Sequence, residues 1–244
     1  MVGCFERVDG YEGIYFMAVL RYGSVFDWSC RHCEYSVSAG DKRTLIDQVK
    51  SHLVRSGGGI LVYNSPDRAD EGAACTDLLT VRDVPNTGAL WITKSPAERL
   101  DLWRRHADGW PQRLRLLVPP SATVPDDLFD RSVITDGPAE VTELSSTSLE
   151  KLGRQIADNT STLAEECRHA TVCFDNLSNV IHEFGNRSVF KLVHVLNVTM
   201  HNAGALAHYH MEPETHIGST IHIFEQEFQL LRDWSGDEPE LSLL

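Results

Sequence analysis

Cys30-Arg31-His32-Cys33 is a C-x-x-C knuckle of the kind that grips a metal, and a third ligand follows it at a suitable distance. Asp41 opens a predicted helix on which Leu45, Val49, His52 and Leu53 share one side, and Gly57 ends it. Zinc in a small domain takes four N or S ligands at roughly 2.0–2.3 Å, commonly two from a Cys knuckle and two from a helix. Cys30, Cys33 and His52 supply three, and Cys4, His32 or water is left for the fourth place. The competing reading makes Cys30 and Cys33 small buried thiols and turns His52 to solvent. His208 and His210 form a second group, two apart on a predicted strand and so on one face of it. With Asp175, which ends another apolar strand, they could hold a divalent metal or move protons. Here the competing reading packs one His against a helix, leaves the other in water and lets Asp175 accept loop N–H groups. Cys75, Cys167 and Cys173 read as core thiols.

The stretch Gly58 to Leu79 holds a third candidate, a loop between a branched apolar run at Ile60 to Tyr63 and helical Ala-Ala-Cys-x-x-Leu-Leu spacing. A phosphate-binding loop in that place needs G-x-x-x-x-G-K-[ST], whose N–H groups and Lys surround the phosphates. Starting the pattern at Asn64 puts Ala69, Asp70 and Glu71 where Gly, Lys and Ser/Thr belong, and no Lys occurs between Lys50 and Lys94. Asp67, Asp70 and Glu71 would meet a triphosphate with like charge, at about 4 kcal/mol per pair for a separation of about 4 Å and an effective dielectric of about 20. Asn64, Ser65, Asp67 and Arg68 could still line a nucleotide face, with Arg68 its one loop cation. Hydrolysis is not expected, and ATP is not an expected cofactor.

The 244 residues suit one ordinary domain and a small one. There is no apolar run of membrane-spanning length, no signal peptide and no repeat, so a cytoplasmic protein without a membrane partner is expected. Six Cys suit reduced thiols and a metal site better than a disulfide framework. The net charge is −13, with 22 basic residues against 35 acidic ones and only five of the basic residues Lys, an acidic balance that looks like a salt-accumulating archaeon's. At about 1 M salt the Debye length is about 3 Å, and a basic stripe is absent, so nucleic acid is not an expected partner. Residues 1–57 carry 7 acidic and 7 basic residues and residues 58–244 carry 28 and 15, net −13, which sets an expected boundary at Gly57-Gly58-Gly59. Residues 1–16 hold no periodic element, and Met17 is a candidate start.

To position these groups the chain must alternate strands with helices. Strands are predicted at Tyr35 to Ala39, Ile60 to Tyr63, Ala89 to Ile92, Leu114 to Val118, Ala170 to Phe174, Ala205 to Met211 and Phe228 to Leu231, with an edge strand or lid at Val133-Ile134. Ser95-Pro96-Ala97-Glu98 and Thr147 with Glu150 read as capping boxes opening helices to His106 and to about Cys167. Asn186 is predicted to cap a helix ended by Gly204, with Val189, Val193, Leu196 and Met200 on one face, and a last helix starts near Glu214. Such alternation gives an α/β domain, a mostly parallel sheet with helices on both faces.

The strand Thr171-Val172-Cys173-Phe174-Asp175-Asn176-Leu177-Ser178 resembles the Walker B strand of RecA/KaiC-type ATPases, whose Asp helps hold Mg²⁺; that resemblance covers about 58–234 and puts Asp175 in that place. The chain is also similar to a haloarchaeal group of degenerate RecA-like proteins, through YNSPDRADEGA and an AHYHM-type strand. Residues 1–57 resemble short archaeal domains with a Cys pair, a strand and a helix ending H-x-x-x-H-G, and Ser56 stands where their last His would be. The implied function is a regulatory or scaffold protein that does not hydrolyse ATP and binds a protein partner, with homo-oligomers common among such relatives. A nucleotide sensor using Arg68, or a metal-dependent enzyme using Asp175, His208 and His210, are the alternatives.

Overall fold

The computed structural model describes residues 20–22, 25–64, 71–80, 83–118, 139–143, 148–234 and 240–244. The Ser65–Asp70 loop and the Val133-Ile134 run lie outside them. The chain divides into two compact units, Met1–Leu45 and Ile46–Leu244.

In the first unit β1 (Leu20–Tyr22), β2 (Val25–Ser29) and β3 (Ser36–Ala39) form an antiparallel sheet in that order. The Cys30 N–H donates to the Tyr35 carbonyl at 2.8 Å, closing the turn that carries Cys30 and Cys33. Asp41 caps α1 (Lys42–Ser56), its carboxylate accepting from the Thr44 N–H at 2.9 Å and the Thr44 hydroxyl at 2.7 Å. That helix runs through the division between the units, and its expected face of Leu45, Val49, His52 and Leu53 is buried. His52 is 4% exposed, so the reading that turns it to solvent does not hold.

The second unit is built on β4 (Gly58–Tyr63), β5 (Thr87–Ile92), β6 (Arg113–Val118), β7 (Ala139–Glu143), β8 (His169–Phe174), β9 (Leu206–Met211), β10 (Leu230–Asp233) and β11 (Glu240–Leu243). They lie in the order β11-β10-β4-β9-β8-β5-β6-β7, and every pairing is parallel except β10 with β11. One strand, β9, separates the strand before the first loop from the strand that ends in Asp175. This is the expected α/β sheet, mostly parallel and flanked by helices. The sheet edge beyond β6 is β7.

Buried on both faces, the strands read as continuous apolar runs, and their alternation deals residues to two cores. Leu90, Ile92, Val172, Phe174, Ala207 and Tyr209 face α4 (Leu149–Glu166), α5 (Leu177–Phe184), α6 (Asn186–Asn202) and α7 (Gly218–Glu225). Ala89, Trp91, Leu114, Leu116 and Cys173 face α2 (Glu71–Leu79) and α3 (Pro96–His106). Among the described residues no helix is long and apolar enough to cross a membrane.

Local expectations about helix ends needed correction. Ser95 makes no side-chain cap; its own N–H donates to the Thr93 hydroxyl at 3.0 Å, so the capping box gives way to a bond with the preceding strand end. Ser148, not Thr147, precedes α4, and it makes no side-chain cap either. Asn186 is the first residue of α6 rather than its cap, and its amide donates to the Thr220 hydroxyl at 2.7 Å. The cap is one helix earlier, where Asn176 accepts from the Ser178 N–H at 2.7 Å and starts α5. Gly185, at φ 79°, turns the chain from α5 into α6. The last helix starts at Gly218, after a 3₁₀ turn at Pro213–Thr215.

Candidate functional site

Asn64, Thr93, Asp175 and Glu212 directly follow β4, β5, β8 and β9, so they gather where ligands of open parallel sheets bind, at the carboxyl ends of the strands. The backbone is fixed there by strand-like bonds, Asn64 N–H to the Met211 carbonyl at 3.0 Å and Asp175 N–H to the Ile92 carbonyl at 2.8 Å. Asp175 is gripped from inside the protein. Arg99, on α3, donates from Nε to Oδ2 at 2.9 Å and places its second terminal nitrogen 2.7 Å from Oδ1, and the Thr93 hydroxyl donates to Oδ2 at 3.0 Å. Both side chains are nearly buried, at 12% and 15% exposed. Burial opposes the Arg99 charge, but the Asp175 carboxylate outweighs it and holds the guanidinium protonated well above its usual range. A two-pronged Arg–carboxylate contact of this length is the strongest common ion-pair geometry.

Beneath these strand ends, on the α2 and α3 face, lies a second polar group. Cys75 of α2, Cys173 of β8 and His208 and His210 of β9 place their ligand atoms within 4.8 Å of one another. All four are buried, none more than 4% exposed. The sheet register sets Cys173 directly beside His208, and strand alternation puts His210 on the same side. Cys75 Sγ lies 3.3 Å from Cys173 Sγ and 3.2 Å from His208 Nε2. The Cys173 contact, with help from His208 and His210, pulls the Cys75 thiol well below its usual range against the effect of burial. Burial, then Cys75, pushes the Cys173 thiol well up, and burial lowers His208. His210 Nδ1 lies 2.8 Å from the side-chain oxygen of Asn64, which can only accept, so the proton sits on Nδ1. Nε2 then presents its lone pair to the cluster and has no hydrogen-bond partner.

The sequence expectation joined Asp175 to His208 and His210. The structure parts them: the two imidazoles point with two thiols into the α2 face, while Asp175 belongs to Arg99 and Thr93. Neither His is solvated. Asn64 takes part as the partner of His210, whereas Ser65, Asp67 and Arg68 lie outside the described residues. Cys30 and Cys33 belong to the first unit and His52 to the second; burial raises Cys30 and lowers His52. Arg99 and the role of Cys75 and Cys173 were missed by sequence reasoning. The signal was Cys173-x-Asp175, which puts the thiol and the carboxylate on the same face of β8.

On the other side of β8 a polar network fastens α5. Asn176 bonds the Glu212 carboxylate, the Ser178 hydroxyl accepts from the Glu212 N–H at 2.9 Å, and His216 Nε2 lies 2.9 Å from that hydroxyl. His182 stacks on His216 at 4.8 Å between ring centroids. Burial, then His182, depresses the His216 pKa. The unfolded chain therefore binds the proton more readily, and stability present above about pH 6.5 falls as the pH drops through the window between that value and the lowered folded one. Urea titrations of wild type and His216→Gln at pH 7.5 and 5.5 should show a smaller acid-induced loss in the variant; equal losses would remove His216 from the account.

Residues 57–230 match the model of a family described as a family of unknown function (DUF7504). A structure of PH0250 from Pyrococcus horikoshii OT3 is 13% identical, covers 79% of this chain and 90% of that one, and superposes with a TM-score of 0.50, a likeness in fold. The KaiC-like protein PH0186 of the same archaeon is 12% identical, with 76% of each chain covered and a TM-score of 0.44. No curated protein matches the chain.

Proposed function

We propose that this chain, which belongs to the DUF7504 family of unknown function, is a RecA-like protein that works by binding a protein partner and does not hydrolyse ATP. The observation that carries this reading is the grip of Arg99 and Thr93 on Asp175. In the position where a RecA-like ATPase would use the carboxylate to help hold Mg²⁺, both oxygens are taken by an internal cation and a hydroxyl. Recruiting Mg²⁺ would require breaking a nearly buried, two-pronged ion pair. The first-loop sequence agrees with this, since it offers acidic residues in place of the phosphate-binding Lys.

The test is direct. Purified protein with Mg-ATP at high salt should release no phosphate above a protein-free control, and its melting temperature should not move with ATP, ADP or GTP. Turnover, or a nucleotide-dependent shift lost in Arg68→Ala, would replace this reading with that of an ATPase or a nucleotide sensor.

A further inference from the structure

We propose that Cys75, Cys173, His208 and His210 form a closed, four-coordinate metal centre of the zinc class, which pins helix α2 to strands β8 and β9. The donor set is two thiols and two imidazoles, one of the standard combinations of a structural zinc site. Softness and charge agree: two thiolates neutralise a divalent ion, which suits a pocket where all four side chains are buried. Geometry agrees as well. Bonds of roughly 2.0–2.3 Å in a tetrahedron give donor–donor edges of about 3.3–3.8 Å. Cys75 lies 3.2 and 3.3 Å from two of its partners, and all four donors fit within 4.8 Å of one another.

The second observation concerns His210. Its Nε2 is buried and unpartnered, while its Nδ1 is held by Asn64 Oδ1 at 2.8 Å. That is the way a metal-bound imidazole is fixed: an outer carbonyl orients the ring and selects the tautomer, and the remaining nitrogen faces the ion. Without a metal, an acceptor nitrogen in a dry core is left unsatisfied at a cost. All four places are filled by protein, so no position is open for water or substrate, and the role is structural.

The centre would also replace a connection that the first loop does not supply. Helix α2 follows that loop, and its Cys75 reaches across to two central strands. The ion would anchor α2 at its middle in a protein whose loop sequence offers no Lys to a phosphate. Asn64, which immediately precedes the loop, would be tied into the same centre through His210.

The experiment uses the full chain carrying Cys30→Ser and Cys33→Ser, so that the knuckle contributes no thiol. Purified without a metal-affinity step, it should contain about one equivalent of zinc by elemental analysis. X-ray absorption at the metal edge should show two sulfur and two nitrogen neighbours. Asn64→Ala keeps every ligand and should weaken retention against a chromophoric chelator by about 10- to 100-fold. His210→Gln should lose the metal. Should His210→Gln not fold, the absorption spectrum and Asn64→Ala still decide the matter. No bound metal, an oxygen-rich coordination shell, unchanged retention in Asn64→Ala, or a Cys75–Cys173 disulfide found by mass spectrometry would each overturn the proposal.

Discussion

Replacing Arg99 by Ala should destabilise the protein by about 3–5 kcal/mol, because it strips a nearly buried carboxylate of its only cation among the described residues. Asp175 would keep the Thr93 hydroxyl and the solvent that reaches a side chain 15% exposed. Neither repays the desolvation that Arg99 now offsets. Asp175→Asn should cost somewhat less, since it leaves an unpaired guanidinium whose long stem still packs, and the Asn oxygen can accept one of its N–H groups. A third variant separates the pair from its parts. With both residues made apolar, Arg99→Met and Asp175→Leu together should lose less than Arg99→Ala alone, since no orphaned charge remains. Urea unfolding at neutral pH measures all three. If Arg99→Ala lost less than about 1 kcal/mol, the pair would behave as an exposed one. Asp175 would then be free to meet a cation, and the reading of a protein without ATP turnover would lose its main support.

Long apolar runs with β-branched residues made the strands legible, and the alternation of strands with helices made their parallel arrangement legible too. Sequence spacing also assigned Leu45, Val49, His52 and Leu53 to one side of α1, and Val189, Val193, Leu196 and Met200 to one side of α6, and all eight are buried. Helix ends were harder. Ser95 and Asn186 have residue types that favour caps, but the Ser95 N–H bonds Thr93 two residues back, and the Asn186 amide bonds Thr220, brought near by tertiary folding. The short α5 was hidden because eight residues between Asn176 and Gly185 give little more than two turns of periodicity. The candidate site was half legible. That His208 and His210 share a face follows from a period of two, but which neighbours they meet depends on β8 lying beside β9 and on α2 crossing that face. Neither is written in local spacing, so two thiols that join the cluster looked like ordinary core residues.

Gly57→Ala should be the most damaging single-methyl addition among the described glycines of the second unit, at about 2–5 kcal/mol. The position has φ +81°, which for an L side chain costs about 1–2 kcal/mol. An added Cβ would also meet backbone atoms: the Met200 carbonyl oxygen at 2.5 Å, and the Ala205 nitrogen and oxygen at 2.8 Å. These atoms cannot swing aside as a side chain could. The Ala205 N–H donates to that same Met200 carbonyl at 2.8 Å, and the Ala205 carbonyl accepts from the Gly58 N–H at 2.9 Å. Forcing them apart adds an overpacking term of about 1–3 kcal/mol. The Gly-rich stretch is thus the place where the joint from α1 to β4 packs on the joint from α6 to β9, and Gly59 is tight as well, with the Asn197 side chain where its Cβ would go. Gly204→Ala is the control. Its φ is +61°, but nothing lies within 4 Å of an added Cβ, so only the conformational cost should appear. The difference between the two variants in urea therefore reads the backbone clash alone. Equal losses would mean that the two joints do not pack as closely as the structure places them, and the register that sets β4 beside β9, and with it Asn64 against His210, would have to be redrawn.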